Sequence, residues 1–296
     1  MCVQIGGNIV AASMAEGSRH SSESGKRAML DVGGSKLAYE SSGNGTPLLF
    51  IHAAIADSRM WNREMEVFSA GHQVVRFDLR GYGGSTPAIG PFSCVRDIRA
   101  LVSHLHLGRP FIVGCSMGGG FAVEYALAHP DEVSGLLLAA PGLGGTPYEA
   151  FSKDEMPAFE YDDKKSAEIA GAWSNGKASE AMELLRQLWC SALTGSSRDL
   201  FMDMVKANAE EVFNDRSFRQ IESRPPSYNR LPSIRVPTTV LVGDRDNPSS
   251  VPFANLVARG IAGARLVTVK GADHLINMSR PKDFETELRL ALDRAK

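Results

Sequence analysis

The sequence lacks the cysteine patterns that mark metal-binding or disulfide-rich proteins. It has four cysteines in 296 residues, Cys2, Cys94, Cys115 and Cys190, and no CxxC pair. Structural metal sites and disulfide frameworks need closely spaced or paired cysteines, so neither is expected. Unpaired, scattered cysteines also favour a reducing compartment, and we therefore predict a cytoplasmic protein that binds no metal.

An excess of one charge and a long hydrophobic run are missing as well. The formal net charge is −2, and no Lys/Arg cluster or interleaving of aromatic and basic residues supports nucleic-acid binding. No apolar run approaches the ~20 residues that span a bilayer, so no membrane partner is expected. The composition, 43% hydrophobic and 22% charged, is ordinary for a globular protein. The length allows one large α/β domain or a domain with an insertion.

The first 27 residues have the composition of a tail. They contain Gly6-Gly7 and the polar run Ser18–Ser24. The short apolar patch Ile9–Met14 lacks the basic segment that precedes the core of a secretory signal. We therefore expect a flexible leader at residues 1–27, with the folded core starting at residue 28.

Short apolar segments alternate with segments of helical spacing over most of the chain. The predicted strands are Met29–Val32, Lys36–Ser41, Pro47–Ile51, Val74–Asp78, Phe111–Val113, Gly135–Ala140, Thr238–Val242 and Arg265–Val269. The predicted helices between and after them are Asp97–Leu107, Met117–Ala128, Pro252–Gly260 and Lys282–Arg294. The first two strands, separated by Gly33-Gly34, form a hairpin. The later strands are apolar throughout, which indicates a mostly parallel sheet with helices on both faces.

The alternation stops in residues 144–232, where no strand pattern is visible. Lys177–Leu193 and Arg198–Phe213 instead repeat apolar residues at helical spacing. We predict a helical lid at 144–232, called the cap below, inserted into a core of residues 28–143 and 233–296. The sequence does not separate pocket residues from core residues among its apolar candidates Tyr148, Phe151, Trp173, Trp189, Phe201 and Met204.

The segment Phe111–Gly120 carries a G-x-S-x-G sequence between a buried strand and a helix. A chain that passes directly from strand to helix leaves the residue at the apex strained, with its side chain pointing outward. Ser116 would then present its hydroxyl at a helix N-terminus, where negative charge is favoured. The same pentapeptide also occurs in plain turns, so a catalytic function requires partners elsewhere in the chain.

A serine nucleophile needs a base, usually histidine, and a carboxylate that orients the base. In an open parallel sheet, functional groups gather at the carboxyl ends of the strands. His274 follows the last predicted strand, and both Asp244 and Asp246 follow the strand before it. These residues are therefore the candidates for base and acid, and position alone favours Asp246 over Asp244 only weakly.

Other polar residues have simpler explanations. His52 also follows a strand, but its neighbours favour bracing of a loop over proton transfer. Asp273, beside His274, is expected to be a solvated loop residue, and Cys115 a small buried side chain. The remaining histidines precede a strand, lie near a helix end or fall in the leader: His72, His104, His106, His129 and His20.

Ester hydrolysis also requires donors for the oxyanion of the tetrahedral intermediate. The main-chain N–H of Met117, directly after Ser116, is the first candidate. The second is expected in the loop after Ile51, where Ala53 and Ala54 are small enough to let a substrate approach. Of these two, Ala54 is favoured.

Five motifs in this order resemble those of the α/β-hydrolase superfamily, over about residues 29–295. They are His52-Ala53-Ala54 (His-Gly-x, with Ala53 in place of Gly), Asp78–Ser85 (D-x-R-G-x-G-x-S), Gly114–Gly119 (G-x-S-M-G-G), Gly243–Asp246 (G-x-x-D) and Gly271–His274 (G-x-x-H). The resemblance implies the α/β-hydrolase fold and a catalytic triad of Ser116, Asp246 and His274. It selects Asp246 over Asp244, and it implies no cofactor.

The serine at position 116 narrows the activity that this resemblance implies. Haloalkane dehalogenases and epoxide hydrolases of the superfamily have aspartate there, whereas esterases, perhydrolases, lactonases and C–C bond hydrolases of ring-cleavage products keep serine. His52-Ala53-Ala54, Met60-Trp61 and Ser116-Met117 are most similar to the esterase, perhydrolase and lactonase branch. We expect a monomeric or homodimeric hydrolase of small, hydrophobic esters or lactones. The alternatives are a C–C bond hydrolase, a cofactor-free perhydrolase, or a ligand-binding receptor on the same fold.

Overall fold

A computed structural model describes residues 27–214 and 225–296 of the chain. The flexible leader predicted for residues 1–27 therefore lies outside the described residues, except for Arg27. The Arg27 guanidinium donates a hydrogen bond to the carboxylate of Asp78, at the edge of the core.

The described residues form one sheet of eight strands in the order β1-β2-β4-β3-β5-β6-β7-β8. The strands are β1 (Ala28–Asp31), β2 (Lys36–Ser42), β3 (Thr46–Ile51), β4 (His72–Phe77), β5 (Phe111–Cys115), β6 (Gly135–Ala139), β7 (Thr238–Gly243) and β8 (Arg265–Val269). β1 and β2 form the expected hairpin, β2 pairs antiparallel with β4, and all other pairs are parallel. The mostly parallel sheet predicted from the sequence is confirmed.

The central strands are apolar because both of their faces are covered. Every residue of β5, β6 and β7 is buried, as parallel strands with helices on both sides require. β8, at the edge of the sheet, alternates half-buried and exposed positions. Because β5, β6, β7 and β8 are parallel, the carboxyl ends of β5, β7 and β8 lie along one rim of the sheet.

Helices cover both faces. They are α1 (Asn62–Phe68), α2 (Cys94–His104), α3 (Met117–Ala128), α4 (Met156–Ser174), α5 (Ala178–Trp189), α6 (Gly195–Ala207), α7 (Ala209–Phe213), α8 (Ser250–Gly260), α9 (Ile276–Ser279) and α10 (Pro281–Arg294). Buried side chains of α2, α3 and α8 form the first apolar core, on one face of the sheet. Those of α1, α9 and α10 form the second core, on the other face. In the part of the chain that the structure describes, none of these helices has the length and apolarity needed to cross a bilayer.

The cap comprises α4 to α7, which lie between β6 and β7. The stretch Arg198–Phe213, which repeats apolar residues at helical spacing, is helical except at Asn208, where the chain breaks into α6 and α7. The buried Asn208 amide donates to Asp57 Oδ2 at 2.8 Å and accepts the Gly83 N–H at 2.7 Å. The break thus places a polar side chain where it fastens the cap to two loops of the core.

A second polar contact fastens α4 to the core. Asp162 Oδ1 accepts a hydrogen bond from Asn247 Nδ2 at 2.7 Å. Asn247 is buried directly after Asp246, and its own N–H donates to Asp246 Oδ1 at 2.7 Å. The cap therefore contacts the loop that carries the candidate catalytic acid.

Glu64 of α1 is a carboxyl group within the second core. Its side chain is fully buried, Asn277 Nδ2 donates to Oε2 at 3.3 Å, and Oε1 has no hydrogen-bond partner among the described residues. Burial is the main cause that raises the pKa of Glu64 to about 8. The folded protein thus keeps a proton that the unfolded chain releases above its ordinary pKa. At pH values between the ordinary pKa of glutamate and about 8, this carboxyl lowers the free energy of unfolding by about 1.4 kcal/mol per pH unit as the pH rises.

We expect Glu64→Gln to remove this loss of stability. Between about pH 5 and pH 7.5, the free energy of unfolding of the wild type should fall by about 3 kcal/mol relative to that of the variant, because glutamine has no proton to release. Urea unfolding at the two pH values measures the difference. Glu66→Gln, an exposed position on the same helix, is the matched control and should follow the wild type. Equal pH dependence in wild type and Glu64→Gln would contradict a protonated Glu64.

Candidate active site

Ser116 occupies the sharp turn between β5 and α3. Its backbone has φ 55° and ψ −120°, a conformation that residues other than glycine seldom adopt. The turn is held by main-chain hydrogen bonds. The Ser116 N–H donates to the Ala139 carbonyl at 2.9 Å, and the Ser116 carbonyl accepts from Gly119, Gly120 and Gly142 at 2.9–3.1 Å. The strained apex expected from the G-x-S-x-G sequence is present.

The glycines around Ser116 allow the helix to approach the sheet closely. A Cβ at Gly118 would overlap the carbonyl oxygens of Ile51 and His52, at the end of β3. A Cβ at Gly114 would overlap the carbonyl of Gly118. Glycine is therefore required at both positions, and the spacing of the motif follows from this close contact.

His274 and Asp246 are in direct contact. His274 Nδ1 lies 3.0 Å from Asp246 Oδ1 and 3.1 Å from Oδ2, and the two side chains are only 4% and 0% exposed. An ionised carboxylate only accepts hydrogen bonds, so this contact places the proton of neutral His274 on Nδ1. Nε2 is then the unprotonated nitrogen, which is the arrangement that a general base requires.

The three candidate residues follow three parallel strands of the same half of the sheet. Ser116 follows β5, Asp246 follows β7 and His274 follows β8. Ser116 and His274 line the same cavity, and Asp246 lies behind His274. Asp244, the alternative acid, is exposed and accepts the Gly271 N–H, so it contacts the start of the loop that carries His274.

The loop after β3 is fastened by His52. The Nε2 atom of this buried histidine accepts the Leu79 N–H at 2.9 Å, which places its proton on Nδ1, 2.8 Å from the Ala53 carbonyl. Burial is the main cause that lowers the pKa of His52, so the ring stays neutral. Both ring nitrogens are occupied, which fits the bracing role expected from the sequence. Ala54 of this loop and Met117 both line the cavity beside Ser116.

The D-x-R-G-x-G-x-S turn shapes the neighbouring wall. Asp78 accepts the N–H groups of Ser58 and Gly84, each at 2.9 Å. The Arg80 guanidinium makes a two-pronged ion pair with Asp97 at 2.6 and 2.7 Å. These contacts fix the backbone that carries Arg80 and Tyr82 into the cavity wall.

The cavity has a volume of about 500 Å³ and lies between the rim of the sheet and the cap. Its wall is mainly apolar and aromatic: Ile55, Leu79, Tyr82, Ala88, Phe92, Phe121, Ile169, Ala170, Leu185, Trp189, Val212 and Phe213. Of the cap candidates named from the sequence, Trp189 lines the cavity, whereas Phe201 and Met204 are buried in the second core. Phe213 was missed, because helical spacing does not separate a cavity residue from a core residue.

Asp273 corrects one expectation. It is fully buried, and its Oδ2 accepts the Ala192 N–H of the cap at 2.8 Å. The prediction of a solvated loop residue is wrong because the residues after α5 cover this loop. Burial is the main cause that raises the pKa of the Asp273 carboxyl.

Cys115 matches its expected role as a small buried side chain. Its thiol lies 3.6 Å from the His274 carbonyl, and burial raises its pKa well above the ordinary value. A buried thiol that stays protonated is unreactive. Within residues 27–214 and 225–296, no three His, Cys, Asp or Glu side chains are grouped to hold a metal ion.

The parallel sheet, the strained serine between strand and helix, and the Asp–His pair at the same rim are together the features of an α/β hydrolase. A model of the alpha/beta hydrolase family matches residues 48–287, and the chain belongs to that family. Its homologues are hydrolases, and the resemblance that the motifs suggested is confirmed.

Relatives of this chain share about a quarter of its residues. The AB hydrolase superfamily protein YisY of Bacillus subtilis is 26% identical over 250 residues, covering 80% of this chain and 88% of that protein. A thermophilic esterase from Thermogutta terrifontis has a TM-score of 0.73 and 26% identity, covering 91% of this chain and 99% of that one. Est816, described as an N-acyl homoserine lactone degrading enzyme, has a TM-score of 0.68 and 26% identity, covering 88% and 99%.

Proposed function

We propose that this protein is a serine hydrolase of small, hydrophobic carboxylic esters or lactones. The observation that carries the proposal is the hydrogen bond between buried Asp246 and His274, in the wall of a cavity that Ser116 also lines. This combination supplies an oriented base, a nucleophile and an apolar binding space.

The proposed reaction begins with attack of Ser116 Oγ on the carbonyl carbon, while His274 Nε2 takes the hydroxyl proton. The N–H groups of Met117 and Ala54 hold the resulting oxyanion. The intermediate collapses as the protonated His274 gives its proton to the leaving oxygen, and an acyl-enzyme on Ser116 remains. Water, deprotonated by His274, then attacks the acyl carbonyl, and Ser116 leaves with the proton returned by His274.

The substrate class rests on the cavity and on two of the similar structures. A predominantly apolar wall favours substrates that bury hydrocarbon surface. One similar structure is an esterase, and another is described as degrading an acyl homoserine lactone. Hydrolysis of an ester or a lactone begins with attack on a carbonyl carbon, which is the step that we propose for Ser116 and His274.

Labelling with a fluorophosphonate tests the nucleophile. We expect a covalent adduct on Ser116, located by peptide mass spectrometry, and a burst of p-nitrophenol from p-nitrophenyl acetate that equals the enzyme concentration. Heat-unfolded protein is the control and should remain unlabelled. An adduct on another residue, or a native protein that resists labelling, would contradict the proposal.

An ester and lactone panel then tests the substrate class. The value of kcat/KM should rise with acyl chain length until the chain fills the cavity of about 500 Å³, and fall beyond it. Repeated turnover would also distinguish an enzyme from a receptor that retains its ligand. Equal values along the series would count against a hydrophobic substrate.

A further inference from the structure

The end of α5 in the cap is bound to the residue that carries the candidate base. The carbonyl of Trp189 accepts the main-chain N–H of His274 at 3.0 Å. The indole of Trp189 also packs against the imidazole, with the ring centroids 4.5 Å apart and the planes tilted by 59°. One cap residue thus contacts both the backbone and the side chain of His274.

The next residues of the cap attach to the same loop. Ala192 donates its N–H to Asp273 Oδ2, and Cys190, between the two attachment points, is fully buried. Asp273 is itself buried, and its Oδ1 has no hydrogen-bond partner in the described ranges. A buried carboxyl with one unpartnered oxygen is costly, so the hydrogen bond from the cap to the other oxygen offsets part of that cost and joins the cap to this loop.

We infer that Trp189 is a positioning residue for His274, holding the base from the cap side while Asp246 holds it from the core side. The inference rests on the proposed function, because it assumes that His274 transfers the proton of Ser116. Asp246 fixes only one nitrogen of the imidazole, and the indole restricts the tilt of the ring about that hydrogen bond.

The ring contact also acts on charge. Proton transfer from Ser116 turns His274 into an imidazolium, and the face of a tryptophan ring attracts cations within about 6 Å of its centroid. The centroids of the Trp189 and His274 rings are 4.5 Å apart, which is within that distance. Its contribution therefore increases as the reaction proceeds, which predicts an effect on kcat rather than on KM alone.

A residue that only lined the cavity would give a different result. Its loss would raise KM for long acyl chains and leave kcat for a small acetate ester unchanged. Steady-state kinetics with p-nitrophenyl acetate, together with the rate of phosphonylation of Ser116 by a fluorophosphonate, separate the two roles. The second measurement reports nucleophile activation without any release of product.

Trp189→Leu keeps an apolar wall and removes the aromatic face. We expect kcat and the phosphonylation rate to fall about tenfold, with KM within about twofold of the wild type. Trp189→Phe, which keeps a ring, should restore both to within about threefold. Trp173→Leu is the matched control. Trp173 is a cap tryptophan that stacks on Phe213 but does not itself line the cavity or contact His274, so the variant should keep the wild-type kcat.

Unchanged kcat in Trp189→Leu would overturn the inference. If that variant does not fold, Trp189→Met offers the same comparison without a ring. Ser116→Ala, measured in parallel, separates the two proposals. If Ser116→Ala keeps its activity, the proposed function fails; if it is inactive while Trp189→Leu keeps full kcat, only the positioning role fails.

Discussion

Ser116→Ala is expected to lower kcat for p-nitrophenyl acetate by about 10⁴-fold or more and to abolish the burst. Removing the nucleophile of a serine triad leaves only the slow hydrolysis that oxyanion donors and binding can promote. The strained turn should persist, because alanine at φ 55° has the same backbone cost and the main-chain hydrogen bonds of residue 116 remain. Activity and fold are therefore separable at this position.

Thermal unfolding provides the control for Ser116→Ala. The midpoint should stay within a few degrees of the wild type, because the serine is held by its backbone rather than by its hydroxyl. A variant that folds normally and keeps the wild-type rate would remove the serine mechanism altogether. A loss of activity that accompanied unfolding would instead require Ser116→Gly, which relieves the positive φ.

The parts of the site that the sequence predicts best are set by local geometry. The Ser116 turn needs glycine at positions 114 and 118 because carbonyl groups approach there, and that requirement is visible as a motif. Strand ends are predictable for a similar reason, since apolar runs stop where the chain leaves the sheet. Three such ends carry the serine, the aspartate and the histidine, so their meeting at one rim follows from the parallel topology.

The features that the sequence does not predict depend on contacts between the cap and the core. Helical spacing continues across Asn208, and only its partners Asp57 and Gly83, far away in the chain, explain why the helix breaks there. Asp273 lies in a short loop whose sequence is typical of a solvated turn. In the structure it is buried, and the Ala192 N–H of the cap donates to its carboxylate. In both cases a polar residue is explained by a distant partner that periodicity does not reveal.

The cap aromatic residues show the same limit. Trp189, Phe201 and Met204 all lie on apolar helical stripes, and a stripe shows only that a side chain is covered. In the structure Phe201 and Met204 complete the second core, while Trp189 reaches the cavity and His274. Which of the two environments a residue meets depends on how the cap docks onto the sheet.

Asp246→Asn is expected to lower kcat by about 10⁴-fold, as the corresponding change does in serine proteases. The asparagine amide would donate to His274 Nδ1, which forces the ring proton onto Nε2. In the proposed mechanism, His274 Nε2 then has no lone pair with which to take the Ser116 proton. The variant should still bind substrate, so KM should change far less than kcat.

Asp244→Asn is the matched control, because Asp244 is the neighbouring acid in the same turn. Its side chain accepts the Gly271 N–H, a bond that the asparagine oxygen can still accept, so kcat should stay within about threefold of the wild type. The values of kcat and kcat/KM of each variant, measured with the same ester and compared with the wild type, give the difference. A larger loss in Asp244→Asn than in Asp246→Asn would show that Asp246 is not the acid that orients His274. Equal losses would mean that the charge of the turn matters, and that the tautomer of His274 does not.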